Sequence, residues 1–299
     1  MPMTAFPFSG LNLAVTTPFD AEGRVDLDRL DAHLERYIEA GVDGFVLSSG
    51  TGMHVYLTRE ESDALVSRGA KAIAGRAKLI VQTSALLLDD VLARTRHAAD
   101  HGADGVMVLP PFFEGPADDE GLLAFYTDVA AVGLPVIGYN VPQAVGVGIS
   151  PALLAELCRL PNFVTVKDSG GDLPRQAALI RTGLPVMNGA DPLTPHALFA
   201  GAAGVIWGGA NFAPRACVAL VRAAAERRWE DVREIWRLLE PAMNLIWEGD
   251  YVASVYAAAE ITGYGAGQPR RPLRPLDAGK LEALRSALGD LPAREAAWP

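Results

Sequence analysis

Amine nucleophiles are few in this 299-residue sequence, which contains four lysines against 22 arginines. Lys167 stands apart because it ends the apolar run 163–167, which has the pattern of a buried strand. Thr165 and Lys167 would share one side of that strand, since side chains alternate with a period of two. If this side faces an interior, loss of water favours the uncharged amine, which attacks ketones to form a Schiff base. The alternative is a lysine that enters a solvated loop.

A tyrosine, Tyr139, ends the preceding apolar run at residues 135–139. A phenol beside an imine can pass protons to and from the reacting atoms. We therefore predict that Tyr139 carries the proton in a Schiff-base reaction at Lys167. The position by itself also fits an ordinary tyrosine at the rim of the fold.

A glycine-rich loop, residues 49–52, follows another apolar run. Its backbone amides can bind an anionic group, and Thr51 adds a hydroxyl donor. The spacing matches neither a P-loop nor a dinucleotide fingerprint, and a tight turn would also explain the glycines. A phosphate-binding barrel would need a second loop after the last two strands, where Gly208-Gly209 is the only hint. The five histidines form no metal-binding pattern, so we expect neither a metal nor a cofactor.

Eight short apolar runs must position these residues. They begin about 20–34 residues apart, with helix-like segments between them, and continuous apolar runs suit parallel strands buried on both faces. The runs are 11–16, 44–48, 78–83, 105–109, 135–139, 163–167, 185–187 and 204–207. Eight such units predict an α/β fold, a closed (β/α)₈ TIM barrel, rather than an open doubly wound sheet. The carboxyl ends of barrel strands carry the active site, which would bring Lys167, Tyr139 and Thr51 together.

Signals at the helix ends support this prediction. Asp26 can cap the first helix, and Gly41 can end it in a left-handed conformation. Residues 40–46, 101–107 and 200–206 repeat one pattern, in which a helix end is followed by a glycine and a buried strand. Repeated units of this kind indicate a parallel sheet.

The pattern changes after residue 225, where no strand is evident. Apolar spacing predicts helices at 229–239, 241–247, 251–261 and 277–288. The proline-rich stretch 268–275 is predicted to be an extended connector, because proline fixes φ and removes a donor. We therefore predict a barrel over residues 1–225 and a C-terminal helical domain over residues 226–299.

The net charge of −10 argues against a nucleic-acid or anionic-membrane surface. Cys158 and Cys217 lie in apolar, helix-like segments, which favours free thiols and a reducing compartment. No apolar run reaches the length of a transmembrane helix, and the first residues lack the pattern of a signal peptide. We expect a cytoplasmic protein with a small-molecule substrate.

These motifs, in this order and at these distances, resemble the dihydrodipicolinate synthase / N-acetylneuraminate lyase family. The resemblance extends from residues 15–19 to residues 271–276. It implies a barrel with C-terminal helices, a homo-oligomer that is a tetramer or dimer, and a Schiff base with pyruvate or another 2-oxo acid. It places the Schiff-base lysine at Lys167, the proton-relay tyrosine at Tyr139 and the carboxylate-binding loop at Gly50-Thr51. Ile206 would line the bound 2-oxo acid.

Three departures from the family pattern bear on the substrate. The loop 49–53 lacks one of the usual hydroxyls and carries Met53 where a glutamate is usual. Phe112 and Phe113 replace a tyrosine pair, one member of which reaches the neighbouring subunit's site; here they would form an apolar wall without proton transfer. Ala144 replaces the arginine that holds an aldehyde substrate's carboxylate. These changes disfavour the condensation of lysine biosynthesis.

The sequence thus predicts a Schiff-base carbon–carbon or carbon–oxygen lyase that acts on pyruvate or a 2-oxo-3-deoxy sugar acid. One alternative is a dihydrodipicolinate synthase-type condensation of pyruvate with an aldehyde. Another is a 2-oxo-acid-binding protein that forms the imine without turnover.

Overall fold

The computed structural model of the chain describes residues 6–116 and 118–298. Eight parallel strands pair in chain order, and the last pairs with the first to close a barrel. The strands are β1 Leu11–Ala14, β2 Gly44–Leu47, β3 Lys78–Gln82, β4 Gly105–Val108, β5 Val136–Asn140, β6 Phe163–Asp168, β7 Val186–Asn188 and β8 Gly204–Trp207. The predicted (β/α)₈ TIM barrel is confirmed, and each strand lies within two residues of its predicted limits.

Helices cover the outside of the barrel and continue beyond it. Those that follow the strands are α1 Leu27–Glu39, α2 Arg59–Ile73, α3 Leu88–Asp100, α4 Asp119–Ala130, α5 Pro142–Val145, α6 Pro151–Leu157, α7 Leu173–Ile180, α8 Thr194–Ala200 and α9 Pro214–Ala225. The C-terminal helices are α10 Trp229–Glu248, α11 Tyr251–Thr262, α12 Ala278–Leu288 and α13 Leu291–Ala296.

The helix ends follow the sequence signals. The Asp26 side chain accepts a hydrogen bond from the Arg29 backbone N–H at 3.0 Å and caps α1. Gly41, Gly102 and Gly201 have φ of 84°, 75° and 100°, which is the left-handed region that favours glycine. All three copies of the repeated pattern therefore end a helix in the same way before a buried strand.

The barrel interior is filled by one compact apolar layer. Its members are fully or almost fully buried: Phe8, Ala14, Val46, Ile80, Met107, Ile137, Met187 and Ile206. Because side chains alternate along a strand, residues two positions further on face the same interior, one level nearer the carboxyl ends. Gln82, Tyr139 and Lys167 occupy that level, which forms the mouth of the barrel.

The C-terminal helices differ in two ways from the predicted ones. A break at Pro241 was expected, but α10 runs unbroken through it for 20 residues. The buried face continues across the proline, with Leu239 before it and Met243 after it, so packing compensates for the lost backbone hydrogen bond. No helix in the two described ranges, α10 included, is long and apolar enough to cross a membrane.

The last helix, α13, was not predicted. Its Glu295 is fully buried and accepts hydrogen bonds from the backbone N–H groups of Arg215 at 2.7 Å and Ala216 at 3.0 Å. The Tyr264 hydroxyl donates to the same carboxylate at 3.2 Å. Burial raises the pKa of Glu295, and these donors oppose that rise. The carboxylate lies at the N-terminus of α9, where the helix dipole favours a negative charge.

Candidate active site

Lys167 and Tyr139 meet at the mouth of the barrel. They are direct partners in the register of β5 and β6. Lys167 is 5% exposed, and its Nζ lies 4.3 Å from the centroid of the Tyr139 ring, within the range of a cation–π contact. The alternative of a solvated loop lysine is therefore wrong.

The other three lysines lie in different surroundings. Lys71 is exposed on α2. Lys78 and Lys280 are about half exposed, and their ammonium groups bind Asp104 and Asp250 at 2.6 Å. Of the four lysines in the chain, Lys167 alone is buried.

Gly189, which follows β7, leaves the room that Lys167 occupies. A Cβ atom at Gly189 would lie 2.8 Å from Cγ of Lys167, and it would overlap Lys167 Cε and Ser169 Oγ. The Ser169 hydroxyl donates to the Gly189 carbonyl at 2.9 Å. The lysine side chain therefore runs along bare backbone toward the mouth.

The glycine-rich loop lies against the same mouth. Thr51 is 5% exposed, and a Cβ atom at Gly50 would sit 3.8 Å from the Tyr139 hydroxyl oxygen. The Thr17 hydroxyl donates to the Gly52 carbonyl at 2.7 Å and fixes the loop. Gly50, Thr51 and Tyr139 thus lie at one mouth, as their positions at the ends of barrel strands predicted.

Met53, which stands where the family has a glutamate, is buried in the core with φ of 65°. It therefore supplies no polar group to the mouth.

Two of the predicted pocket residues, Phe113 and Ile206, do not line the pocket as expected. Phe113 is 80% exposed and has φ of 56°, so its side chain forms no pocket wall within its own chain. Its neighbour Phe112 is half-buried. Ile206 is fully buried in the interior layer, one level below Gly208. It supports the floor of the site.

A buried carboxylate at this site, Asp191, was not predicted as a functional residue. One of its oxygens, Oδ2, accepts hydrogen bonds from the Gly209 backbone N–H at 2.8 Å and the Tyr251 hydroxyl at 2.9 Å. The other oxygen, Oδ1, is buried and has no partner in the described chain. Burial raises the pKa of Asp191 to about 6, and the charge of Lys167 opposes that rise. Its position just after β7 was the only signal in the sequence.

Tyr251 reaches the mouth from α11, outside the barrel. A Cβ atom at Gly208 would lie 2.6 Å from the Thr51 hydroxyl oxygen and would overlap the Tyr251 hydroxyl. Burial and the neighbouring Asp191 raise the pKa of Tyr251, whereas a hydrogen bond with Thr51 lowers it. No sequence pattern links a tyrosine on this helix to a strand end.

Gln82 is the third residue that the sequence did not single out. It is 2% exposed on the interior side of β3, and neither its amide oxygen nor its nitrogen has a partner among the described residues. Buried side-chain amides are almost always hydrogen-bonded in folded proteins. The side chain therefore suits contact with a polar group of a bound molecule.

A hydrogen bond between an amide and a carboxylate joins the ends of β5 and β6 beside the site. Asn140 Nδ2 donates to Asp168 Oδ1 at 2.6 Å, and the Ile149 backbone N–H donates to Asn140 Oδ1 at 2.8 Å. Burial raises the pKa of Asp168, and the Asn140 bond opposes that rise. This pair fixes β5 against β6 directly beside Tyr139 and Lys167. Within the described ranges, no three metal-ligating side chains form a metal site.

Comparison with known proteins gives consistent relatives. The sequence model of the Dihydrodipicolinate synthetase family matches residues 7–291. A 4-hydroxy-tetrahydrodipicolinate synthase from Methanoculleus marisnigri is 31% identical over 94% of this chain and 98% of its own. The enzyme of the same name from Corynebacterium aurimucosum is 36% identical over 94% of both chains. The crystal structure of dihydrodipicolinate synthase from Aquifex aeolicus has a TM-score of 0.90 at 30% identity, over 95% of this chain and 98% of that one.

The closed (β/α)₈ barrel and the enzymes that it resembles together define the class of this protein, a barrel lyase. Within that class, the chain belongs to the dihydrodipicolinate synthetase family. The predicted enzyme class, a lyase of this family, is confirmed, and the aldolase-type and synthase-type interpretations are both consistent with it.

Proposed function

We propose that this lyase cleaves or dehydrates a hydroxylated 2-oxo acid, such as a 2-oxo-3-deoxy sugar acid, through a Schiff base at Lys167. The observation that carries the proposal is the burial of the Lys167 ammonium against the Tyr139 ring at 4.3 Å. The uncharged form of such an amine is the nucleophile that attacks a ketone to form a Schiff base.

The reaction follows from these positions. Lys167 Nζ attacks the C2 ketone, and water leaves to give an iminium that withdraws electrons. The C3–C4 bond then breaks as the C4 hydroxyl loses its proton, or C3 loses a proton and the C4 hydroxyl departs as water. Tyr139 carries the proton in either case. The Gly50-Thr51 backbone amides and the Thr51 hydroxyl hold the substrate carboxylate.

Three residues support a hydroxylated substrate. Ala144 offers no cation for a second carboxylate, and Gly50 leaves space beside the Tyr139 hydroxyl. The Gln82 amide, which has no partner within residues 6–116 and 118–298, can bind a hydroxyl group. An anion left without a partner in a closing site costs about 1–3 kcal/mol, which corresponds to one to two decades in rate.

The second candidate is condensation of pyruvate with an aldehyde that carries a carboxylate. The names of the relatives favour it, and Arg175 offers a cation, because its guanidinium lies against Gly148 in the segment after β5. Arg215 is less suited, since its side chain is held by the Tyr264 hydroxyl at 3.3 Å.

Borohydride reduction in the presence of pyruvate tests the chemistry. We expect one adduct, located at Lys167 by mass spectrometry of peptides, and none in Lys167→Arg, since guanidinium stays protonated. An adduct at Lys71, Lys78 or Lys280, or no adduct with any 2-oxo acid, would contradict the mechanism. An adduct without turnover of any 2-oxo sugar acid or aldehyde would identify a binding protein instead.

A coupled assay with aspartate semialdehyde separates the two candidates. We expect kcat/KM to stay well below about 10⁴ M⁻¹s⁻¹, the lower end of ordinary enzymes, and to exceed that limit for a hydroxylated 2-oxo acid. The reverse order would establish the synthase. Arg175→Ala then shows whether that guanidinium holds the second carboxylate, because only the semialdehyde reaction would weaken.

We also propose that the protein is a cytoplasmic homo-oligomer, a dimer or a homotetramer. Exposed apolar side chains follow three adjacent strands at the mouth, with Val55, Leu86, Leu87 and Phe113 between 58% and 80% exposed. Such side chains mark protein contacts when they lie together. The free thiols of the two cysteines suit a reducing compartment. The proposed domains are the barrel, 1–225, and the helical domain, 226–299.

A further inference from the structure

We propose that Asp191 and Tyr251 form a proton store for this site, in which Asp191 holds the proton that Lys167 loses and Tyr251 returns it. This inference rests on the proposed function. It assigns a role to a residue of the C-terminal helices, which contribute no strand to the barrel.

The positions and contacts of Asp191 and Tyr251 support this role. Asp191 is 1% exposed and is held by two donors, the Gly209 N–H and the Tyr251 hydroxyl. Its other oxygen, Oδ1, has no hydrogen-bond partner among the described residues and gives a second acceptor position within the site. Gly208 provides the space in which the hydroxyls of Thr51 and Tyr251 approach each other, because any side chain there would overlap both. Tyr251 therefore stands between Asp191 and the loop that would hold the substrate carboxylate.

The charges around the pair are few. The charge of Lys167 on β6 favours the ionised form of the Asp191 carboxylate. Burial, Asp191 and Tyr139 on β5 raise the pKa of Tyr251, and burial, Glu295 and Asp191 raise the pKa of the Cys217 thiol on α9. Burial brings the pKa of Asp191 to about 6, so the carboxylate is ionised at neutral pH and can still accept a proton.

Two other positions near the mouth have no side-chain group that can transfer a proton. Gly50, beside the Tyr139 hydroxyl, has no side chain, and the exposed Phe113 has no hydroxyl. Tyr139 is therefore accompanied by a second phenol from its own chain, Tyr251.

The proton balance closes without an outside acid or base. Lys167 passes one proton through the Tyr251 hydroxyl to Asp191 and becomes the neutral amine. Its Nζ bonds to C2 of the 2-oxo acid, and its N–H proton moves to the former ketone oxygen to give the carbinolamine. The stored proton returns through Tyr251 to the carbinolamine hydroxyl. The C–O bond then breaks, water leaves, and the nitrogen lone pair forms the C=N bond of the iminium.

The rate of imine formation tests the proposal. Wild-type protein, Tyr251→Phe and Asp191→Asn are mixed with pyruvate and cyanoborohydride across pH 5–9, and the Lys167 adduct is followed by mass spectrometry. We expect both variants to form the adduct about 10²-fold more slowly, in the range of general acid–base effects. In the wild type the rate should fall on the acidic side as Asp191 protonates, and Asp191→Asn should lack that limb.

Tyr256→Phe is the matched control, since Tyr256 lies on the same helix and its hydroxyl donates to the Thr17 carbonyl at 2.7 Å. It should trap pyruvate at the wild-type rate. Equal rates and equal pH profiles for all variants would overturn the proton store while leaving the Schiff base intact. Absence of any wild-type adduct would instead overturn the proposed function.

A measurement on the wild type covers the case in which Tyr251→Phe does not fold. The rate of adduct formation is measured in mixtures of H₂O and D₂O. A stored proton that passes through a phenol predicts more than one proton in motion, and a strictly linear dependence on the deuterium fraction would contradict it.

Discussion

At the scale of single residues, the mouth of the barrel concentrates groups that water would otherwise surround. Lys167, Asp191 and Gln82 are each at most 5% exposed. Charged groups in such surroundings are stable only beside partners. Lys167 has the Tyr139 ring, and Asp191 has Tyr251 and Gly209.

The role of Tyr139 can be measured directly. Tyr139→Phe keeps the ring under the Lys167 ammonium and removes only the hydroxyl, so the fold should persist. We expect kcat to fall by about 10²–10⁴-fold. Tyr37→Phe is the control, since Tyr37 is also fully buried and its hydroxyl donates to the Asn211 carbonyl at 3.0 Å. A loss below about threefold for Tyr139→Phe would place the relay elsewhere.

Gly189→Ala tests the path of the lysine side chain. The new methyl group would lie 2.8 Å from Lys167 Cγ and would overlap Cε, so Lys167 must leave its position. We expect borohydride trapping of pyruvate at Lys167 to fall at least tenfold while the circular dichroism spectrum stays unchanged. Gly279→Ala, on α12, should trap pyruvate normally. Normal trapping in Gly189→Ala would show that the lysine tolerates another course.

At the scale of elements, strand register and helix packing decide where the site forms. The Asn140–Asp168 bond joins the ends of β5 and β6 at the level of Tyr139 and Lys167. From outside the barrel, α11 brings Tyr251 to the same mouth. The C-terminal helices therefore complete a site that the strands begin.

Glu295 should be the main anchor of α13. Glu295→Ala leaves the N–H groups of Arg215 and Ala216 without their buried acceptor. We expect the free energy of unfolding to fall by about 2–4 kcal/mol, measured by urea denaturation. Glu295→Gln, which keeps an acceptor but not the charge, should lose less. Equal loss in both variants would show that the charge at the N-terminus of α9, rather than the acceptor, is what matters.

At the scale of the whole molecule, the negative net charge and the exposed apolar residues at the mouth have opposite effects on association between copies of the chain. The charge of −10 keeps copies of the chain apart at long range. The exposed residues Leu86, Leu87 and Phe113 favour contact at one face. Contact there would cover the mouth and place Phe113 against a second copy.

Leu87→Asp tests that contact. Leu87 is 67% exposed, so the substitution should not disturb the fold, but a charge in an apolar contact is costly. We expect the wild type to sediment as a dimer or tetramer and Leu87→Asp to shift toward smaller species at micromolar concentration. Ser286→Asp, on the exposed side of α12, should leave the oligomer unchanged. A monomeric wild type would contradict the proposed assembly.

The sequence by itself determined the barrel and the positions of Lys167 and Tyr139 at the ends of its strands. Eight apolar runs with glycine stops are local signals, because backbone conformation and burial on both faces act within a few residues. They indicated all eight strands, and they placed Lys167 and Tyr139 at strand ends. The period of two along β6 put Lys167 on the same side as Thr165, and this position holds in the folded chain.

Only the tertiary structure decided the rest. Tyr251 and Asp191 are 60 residues apart in sequence, and no local pattern records that α11 packs against the end of β7. The helix through Pro241 and the unpredicted α13 likewise depend on distant packing, as the contacts of Glu295 show. Phe113 is an aromatic residue of the kind that lines pockets, but its side chain is exposed to solvent. Its backbone has the left-handed conformation, which the sequence did not predict. Contacts between distant segments are set by the burial of whole faces, which a run of a few residues cannot specify.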